Sequence, residues 1–340
     1  MQKIGLALVG CGAIAEWHRL ALASVPQLEV RAVVDTVRER AEAMAKKTGA
    51  AAFTSLEAAF AAGGVEAADV MVPHHLHERV ALEVLGAGKH LLLEKPMATS
   101  LDACERILAA ARASGRVFMV GENAQYWPDV LVAKRLIDEG AIGEVVTAHV
   151  HLFSPAMPEF HGDGSWRLSR EQMGGGVALD TGSHFMRPLR MWVGEIEEVV
   201  AAMERPLARM EGESLCRALF RFRSGVVANF CLLIASGALA PQDTFRITGT
   251  KGEIAIAAGV RLFDGSDPRG KSVKADLPEA MANVPAGYMA SYAGELLDFA
   301  RAIREGKALD AGPEVAVGEL RVALAMERSA QTKRWERVWD

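Results

Sequence analysis

Residues 4–15 read Ile4-Gly5-Leu6-Ala7-Leu8-Val9-Gly10-Cys11-Gly12-Ala13-Ile14-Ala15. The uncharged run up to Val9 has the character of a strand buried on both faces of a parallel sheet. The glycines after it have the spacing G-x-G-x-x-A and open a helix. Glycine at these places lets a backbone approach a pyrophosphate, and a helix N-terminus adds N–H groups and the positive end of its dipole. The next strand, residues 28–35, ends on Asp35, where a carboxylate accepts hydrogen bonds from adenosine ribose hydroxyls. Gly10, Gly12, Ala13, Ile14 and Asp35 are therefore the candidate cofactor-binding residues. The alternative is a glycine turn that only packs strand on helix; the surrounding βαβ unit disfavours it. Asp35 favours NAD over NADP by repelling a 2′-phosphate, while Arg38 and Arg40 close behind keep NADP open.

Outward from this unit, apolar strands recur at helix-length intervals: residues 68–73, 90–95 and 116–121, with a weaker one near 51–53. Thr99-Ser100-Leu101-Asp102 resembles a capping box, starting a helix through about Ala113 that ends at Gly115. Such alternation predicts a doubly wound parallel sheet with right-handed crossovers. After about residue 124 the grammar changes. Residues 144–153 alternate, and 215–223 with 226–234 read as a hairpin around Ser224-Gly225. A second hairpin joins 244–248 to 253–257, and two amphipathic helices follow, the first with a stripe of Met289, Tyr292, Leu296, Phe299 and Ile303. The expected fold class is α/β. A Rossmann doubly wound parallel sheet occupies 1–123, and an α+β domain with a mainly antiparallel open sheet occupies 124–340.

Bulk properties narrow the function classes. The 340 residues are 50% hydrophobic and 24% charged, with 38 basic against 43 acidic side chains. That net charge of −5 supplies no basic face for nucleic acid or an anionic membrane. No apolar run approaches the roughly 18 residues of a membrane span. Cys11, Cys104, Cys216 and Cys231 lie far apart without metal-type spacing, as in a reducing compartment. The first 23 residues imitate a secretory signal, but Gly5, Gly10, Gly12, Glu16, His18 and Arg19 interrupt the pattern. A cytoplasmic protein is expected.

Two further segments carry chemistry. Glu94-Lys95-Pro96 ends a central strand, where ligands of open α/β sheets bind, so Lys95 either points its ammonium into the cofactor crevice or simply leaves the sheet for solvent. Downstream, Gly174-Gly175-Gly176-Val177-Ala178-Leu179-Asp180-Thr181-Gly182-Ser183-His184 follows Trp166-Arg167. If Val177 onward is helical, Asp180 and His184 form an i, i+4 pair in which the carboxylate orients the ring. Pro188 removes a hydrogen bond to the His184 carbonyl and predicts a kink. His74, His75 and His77, or His149 and His151, suggest a metal only superficially, since no converging carboxylate or thiolate accompanies them. No metal is expected. His149 and His151 share a strand face that lines either a substrate cleft or a subunit interface. Cys11 reads as small and buried.

Together these motifs resemble the glucose–fructose oxidoreductase / inositol dehydrogenase (Gfo/Idh/MocA) family over essentially the whole chain. The glycine loop, Val72-Pro73-His74-His75-Leu76-His77, Glu94-Lys95-Pro96, Gly174 to His184, and Ile247-Thr248-Gly249-Thr250-Lys251-Gly252-Glu253-Ile254 carry the likeness. The resemblance implies an NAD(P)-dependent dehydrogenase or reductase acting on a sugar, cyclitol or related polyhydroxylated substrate, with NAD as cofactor and NADP not excluded. By the same resemblance Lys95, Asp180 and His184 match catalytic positions. Pro73, His74, His77, Glu94 and Lys95 match the nicotinamide end of the cofactor site, and Asn123, Trp166, Arg167 and His184 the substrate side. It further implies a homodimer or homotetramer through the open sheet face. Two departures stand out: Arg187 where the family often has an acid, and Gln125 where it often has arginine. Both bear on the substrate rather than the reaction class. Two rival readings share the fold: a redox-neutral NAD-using glycosidase or lyase-like enzyme, and a noncatalytic nucleotide-binding regulator.

Overall fold

The computed structural model describes residues 3–237, 244–274 and 288–339. The chain packs as two compact units, Met1–Asn123 with Glu279–Val317, and Ala124–Pro278 with Gly318–Asp340. This differs from the expected continuous 124–340 domain, because a late segment packs with the first unit.

In the first unit the order is β1 (Ile4–Val9), α1 (Ala13–Leu22), β2 (Leu28–Val34), α2 (Arg38–Thr48), β3 (Ala51–Phe53), α3 (Leu56–Ala61), β4 (Ala67–Val70), α4 (His77–Gly86), β5 (His90–Glu94), α5 (Leu101–Ser114) and β6 (Phe118–Gly121). The strands form one parallel sheet in the order β3-β2-β1-β4-β5-β6. Every residue of β1 is buried, as the run Ile4–Val9 requires between two helical layers. The strand order reverses at β1 and β4, which opens the crevice that binds ligands in such sheets. The cap of α5 falls one residue later than expected: Ser100 rather than Thr99 accepts the Ala103 N–H, at 3.3 Å. Gly115 ends that helix in the left-handed conformation at φ 63°.

The second unit starts with α6 (Pro128–Asp138), β7 (Val145–Pro155), the short α7 (Pro158–His161) and α8 (Arg170–Met173), and α9 (Ser183–Val193). It continues with β8 (Ile196–Glu204), β9 (Leu215–Phe222), β10 (Val227–Ala235), β11 (Phe245–Gly249), β12 (Glu253–Ala257), β13 (Gly259–Phe263) and β14 (Lys271–Val273). These strands belong to one mixed sheet, antiparallel except for the pair β7/β10. Alternation sorts β9: Cys216, Ala218, Phe220 and Phe222 are buried while Arg217, Leu219 and Arg221 are exposed. The buried face meets α6 and α9 in a core containing Val130, Phe185, Leu189, Trp192 and Phe245. Trp192 and Phe245 sit edge to face at 5.0 Å between centroids. The helix α9 continues through Pro188.

The chain then returns to the first unit as α10 (Tyr288–Glu305) before α11 (Val315–Thr332) and β15 (Glu336–Arg337). The stripe expected on α10 understates it: residues 290–300 are buried all round, including Ser291, Glu295 and Asp298. Its Tyr292 ring lies 6.2 Å from Trp17 of α1.

Candidate functional site

The glycine loop joins β1 to α1. Gly10 takes φ 90°, and a Cβ there would lie 2.7 Å from the Met71 carbonyl oxygen, so the chain tolerates only glycine. Gly12 differs. It caps α1 without a side-chain hydrogen bond, and a Cβ added to it meets no atom within 4 Å. An uncrowded helix N-terminus at the carboxyl end of β1 fits a pyrophosphate, with Ala13 and Ile14 in the first turn. Asp35 braces this loop. Its Oδ2 accepts the Cys11 N–H at 2.9 Å, and Oδ1 accepts the Val37 N–H at 2.8 Å. Cys11 is half-buried rather than buried; burial and the neighbouring Asp35 push its thiol up to about 12, with Arg40 opposing. The exposed Arg38 guanidinium faces Glu42 at 3.9 Å.

At the carboxyl end of β5, Glu94 and Lys95 are both buried. Glu94 Oε1 lies 3.0 Å from His18 Nε2, while Oε2 accepts the Lys95 N–H at 3.1 Å. Pro73 leads from β4 into a single 3-10 turn, His74–Leu76. The buried His77 ring lies 2.7 Å from the Pro96 carbonyl and 2.9 Å from that of Val72, tying the β4 and β5 ends together. Burial lowers its pKa while the two carbonyls oppose. His74 packs edge-on against it at 5.4 Å, and His75 is exposed. Asn123, expected on the substrate side, donates from Nδ2 to Ser291 Oγ at 2.9 Å.

The second unit carries the remaining candidates. A Cβ on Gly176 would lie 2.3 Å from the Glu213 carbonyl oxygen, so the glycine run exists to pass that segment. Glu213 holds the following turn through the Val177 N–H at 2.8 Å and the Ala178 N–H at 3.0 Å, and burial pushes its carboxyl up. Residues 177–182 are turns and α9 begins at Ser183. Asp180 and His184 therefore do not share a continuous helix face, contrary to the conditional expectation. The Asp180 carboxylate accepts the Arg167 Nε–H at 3.0 Å. Arg167 stacks between Trp166, 4.2 Å from its ring centroid, and Phe160 at 5.0 Å. His184 occupies the first turn of α9, its ring 6.0 Å from Trp127. His149 and His151 are exposed on β7, with His149 Nδ1 3.2 Å from Asn229 Nδ2.

Three groups escaped the sequence reading. The first is Glu319, which receives both Arg187 Nε and Nη2 at 2.9 and 3.0 Å. Arg190 also pairs with Glu319 and with Glu195. The second is Glu213. The third joins His18, Asp69, Glu94 and Glu295 in the first unit. Ligand-type atoms of His18, Glu94 and Glu295 all lie within 4.8 Å of one another. One clue was available: Asp69 interrupts an otherwise apolar strand and needs a buried partner.

Known proteins align with this architecture. The oxidoreductase family's NAD-binding Rossmann fold matches residues 4–122, and its C-terminal alpha/beta domain matches 134–338. A levoglucosan dehydrogenase of Pseudarthrobacter phenanthrenivorans is 28% identical over 98% of each chain. A 1,5-anhydro-D-fructose reductase of Ensifer adhaerens is 30% identical over 73% of this chain and 74% of its own. A levoglucosan dehydrogenase solved with NADH shares the fold, with a TM-score of 0.89 at 23% identity over 99% of both chains. Among the described residues no helix is long and apolar enough to cross a membrane.

Proposed function

The chain belongs to the Gfo/Idh/MocA oxidoreductase family and carries its NAD-binding Rossmann domain, and from that premise we propose that it oxidises or reduces a secondary alcohol or ketone of a sugar, cyclitol or related polyhydroxylated ring. The observation that carries the reading is the joint presence of an open Gly12 helix terminus and a buried Lys95 at the carboxyl end of β5. The relatives named above act on sugars or anhydro-sugars, and that supports the substrate class.

Bound NAD supplies the hydride acceptor. In the oxidation direction His184 takes the hydroxyl proton and Lys95 steadies the developing alkoxide; in reduction the same groups return the proton. Asp180 fixes Arg167, whose guanidinium then offers its remaining donors to substrate hydroxyls beside Trp166. Asn123 holds the end of β6 through Ser291. Pro73, His74, His77 and Glu94 form the wall for the nicotinamide end, with His77 as its internal tie.

The test is an NAD- and NADP-linked screen over sugars, cyclitols and keto-sugars, followed by Lys95→Ala and His184→Ala on the best substrate. Each variant should lose about 10² to 10⁴ in kcat with only modest change in the NAD Kd. Near-normal kcat in both variants would overturn the assignment. Product formed without net NADH would mark redox-neutral chemistry instead.

A further inference from the structure

The helix α1 turns Ala15, His18 and Ala21 inward, so an imidazole occupies a core position. His18 is fully buried; Nδ1 lies 2.8 Å from Asp69 Oδ2 and Nε2 3.0 Å from Glu94 Oε1. A neutral imidazole has one N–H and satisfies one carboxylate, whereas an imidazolium donates to both. Burial opposes the charge, but Asp69 and Glu94 outweigh it and hold the ring's pKa well above its ordinary value. Glu94 spends its other oxygen on the Lys95 N–H. Asp69, His18, Glu94 and the Lys95 backbone thus form one continuous chain of hydrogen bonds, linking β4, α1 and β5. Tyr292 covers the ring at 5.1 Å.

Beside this chain sits Glu295 of α10, fully buried, with no hydrogen-bond partner for either oxygen among the described residues. Burial and the charges of Glu94, Asp69 and Glu122 push its carboxyl well up against the opposing His18, which favours the neutral acid. A cation could also satisfy His18, Glu94 and Glu295. The short His18–Glu94 contact favours a proton, because a metal would have to replace it at Nε2.

We propose that His18 is a positioning residue for the reaction: clamped by Asp69, it fixes the Glu94 carboxylate, which pins the Lys95 backbone N–H and so sets where the Lys95 side chain leaves β5. This rests on the reading of Lys95 as the group that meets the substrate. Without the imidazolium, Glu94 is a buried carboxylate beside another acid and rotates away from the Lys95 N–H. A displacement of about 1 Å at a reacting group costs on the order of 10²-fold in rate.

The experiment measures kcat, KM, NAD Kd and thermal midpoint for full-length His18→Gln and Asp69→Asn, each made in the parent and in Lys95→Ala. In the parent both substitutions should lower kcat by about 10- to 10²-fold while NAD Kd moves about threefold or less. In Lys95→Ala neither should lower kcat further, which a merely structural role would not produce. If His18→Gln fails to fold, Asp69→Asn keeps the ring in place and decides alone. Equal losses in both backgrounds, or unchanged kcat in the parent, would overturn the inference while leaving Lys95 in its role. A normal kcat in Lys95→Ala by itself removes Lys95 from the mechanism and the inference with it. Chelator treatment should leave kcat unchanged; loss of activity restored by zinc or manganese would make these residues metal ligands and overturn the proposal.

Discussion

Arg187 donates from Nη1 to Gln125 Oε1 at 2.7 Å, so the two positions singled out by the family resemblance as departures touch one another. Glu319 accepts from the same guanidinium through both carboxylate oxygens, so the charge of Arg187 is matched inside the fold. Gln125 and Arg187 are both buried, so their contact is internal to the fold. Arg187→Glu should cost about 3–5 kcal/mol, because it sets two buried carboxylates together. Adding Gln125→Arg should restore part of the loss. Urea titration of both single variants and the double variant checks the cycle, and additive effects would refute the compensation.

The bracing of the loop by Asp35 complicates the cofactor switch expected from its charge. Asp35→Ser should shift preference from NAD toward NADP, since the repulsion of a 2′-phosphate goes. It also releases the Cys11 and Val37 N–H groups, so affinity for both cofactors should fall. Paired calorimetric titrations measure both effects. An unchanged NAD/NADP ratio would mean the carboxylate only braces the loop.

The two glycines of the loop should separate ligand from fold. Gly12→Leu extends a side chain into open space, so NADH affinity should drop at least about 10²-fold with the thermal midpoint nearly unchanged. Gly10→Ala meets the Met71 carbonyl at positive φ and should lower stability by about 1–3 kcal/mol or more. Intact NADH binding by Gly12→Leu would remove the phosphate site from this loop.

The buried acid predicts a direction of pH dependence. A carboxyl whose folded pKa is raised contributes stability present below the unfolded value of about 4.5 and lost as pH rises toward the folded value. His18 adds a loss above about 6.5 for the same reason, its folded pKa also being raised. Between pH 5 and 8, Glu295→Gln should therefore flatten the fall in unfolding free energy by about 1 kcal/mol per pH unit. Parallel parent and variant curves would show that Glu295 is ionised in the folded protein.

The parallel sheet, the glycine loop and the change of grammar near residue 124 were legible because each is a local pattern. An uncharged run, a glycine spacing and a two-residue alternation state their own conformations. Motifs such as Glu94-Lys95-Pro96 were legible for the same reason, each lying within a few residues of chain. The turn that separates Asp180 from the start of α9 was not, since Glu213 captures the Val177 and Ala178 N–H groups and holds the segment out of a helix. Nor was the placement of α10, whose stripe conceals a fully buried Glu295.

The sequence by itself therefore determined the order of elements, the dinucleotide fold and the family. Tertiary structure alone decided which charges are neutralised by which partners. Asp69 and Glu94 stand 51 and 76 residues from His18, and Glu319 stands 132 from Arg187. Such partners are selected by the cost of leaving a buried charge unpaired, and that cost exists only once packing has removed the water.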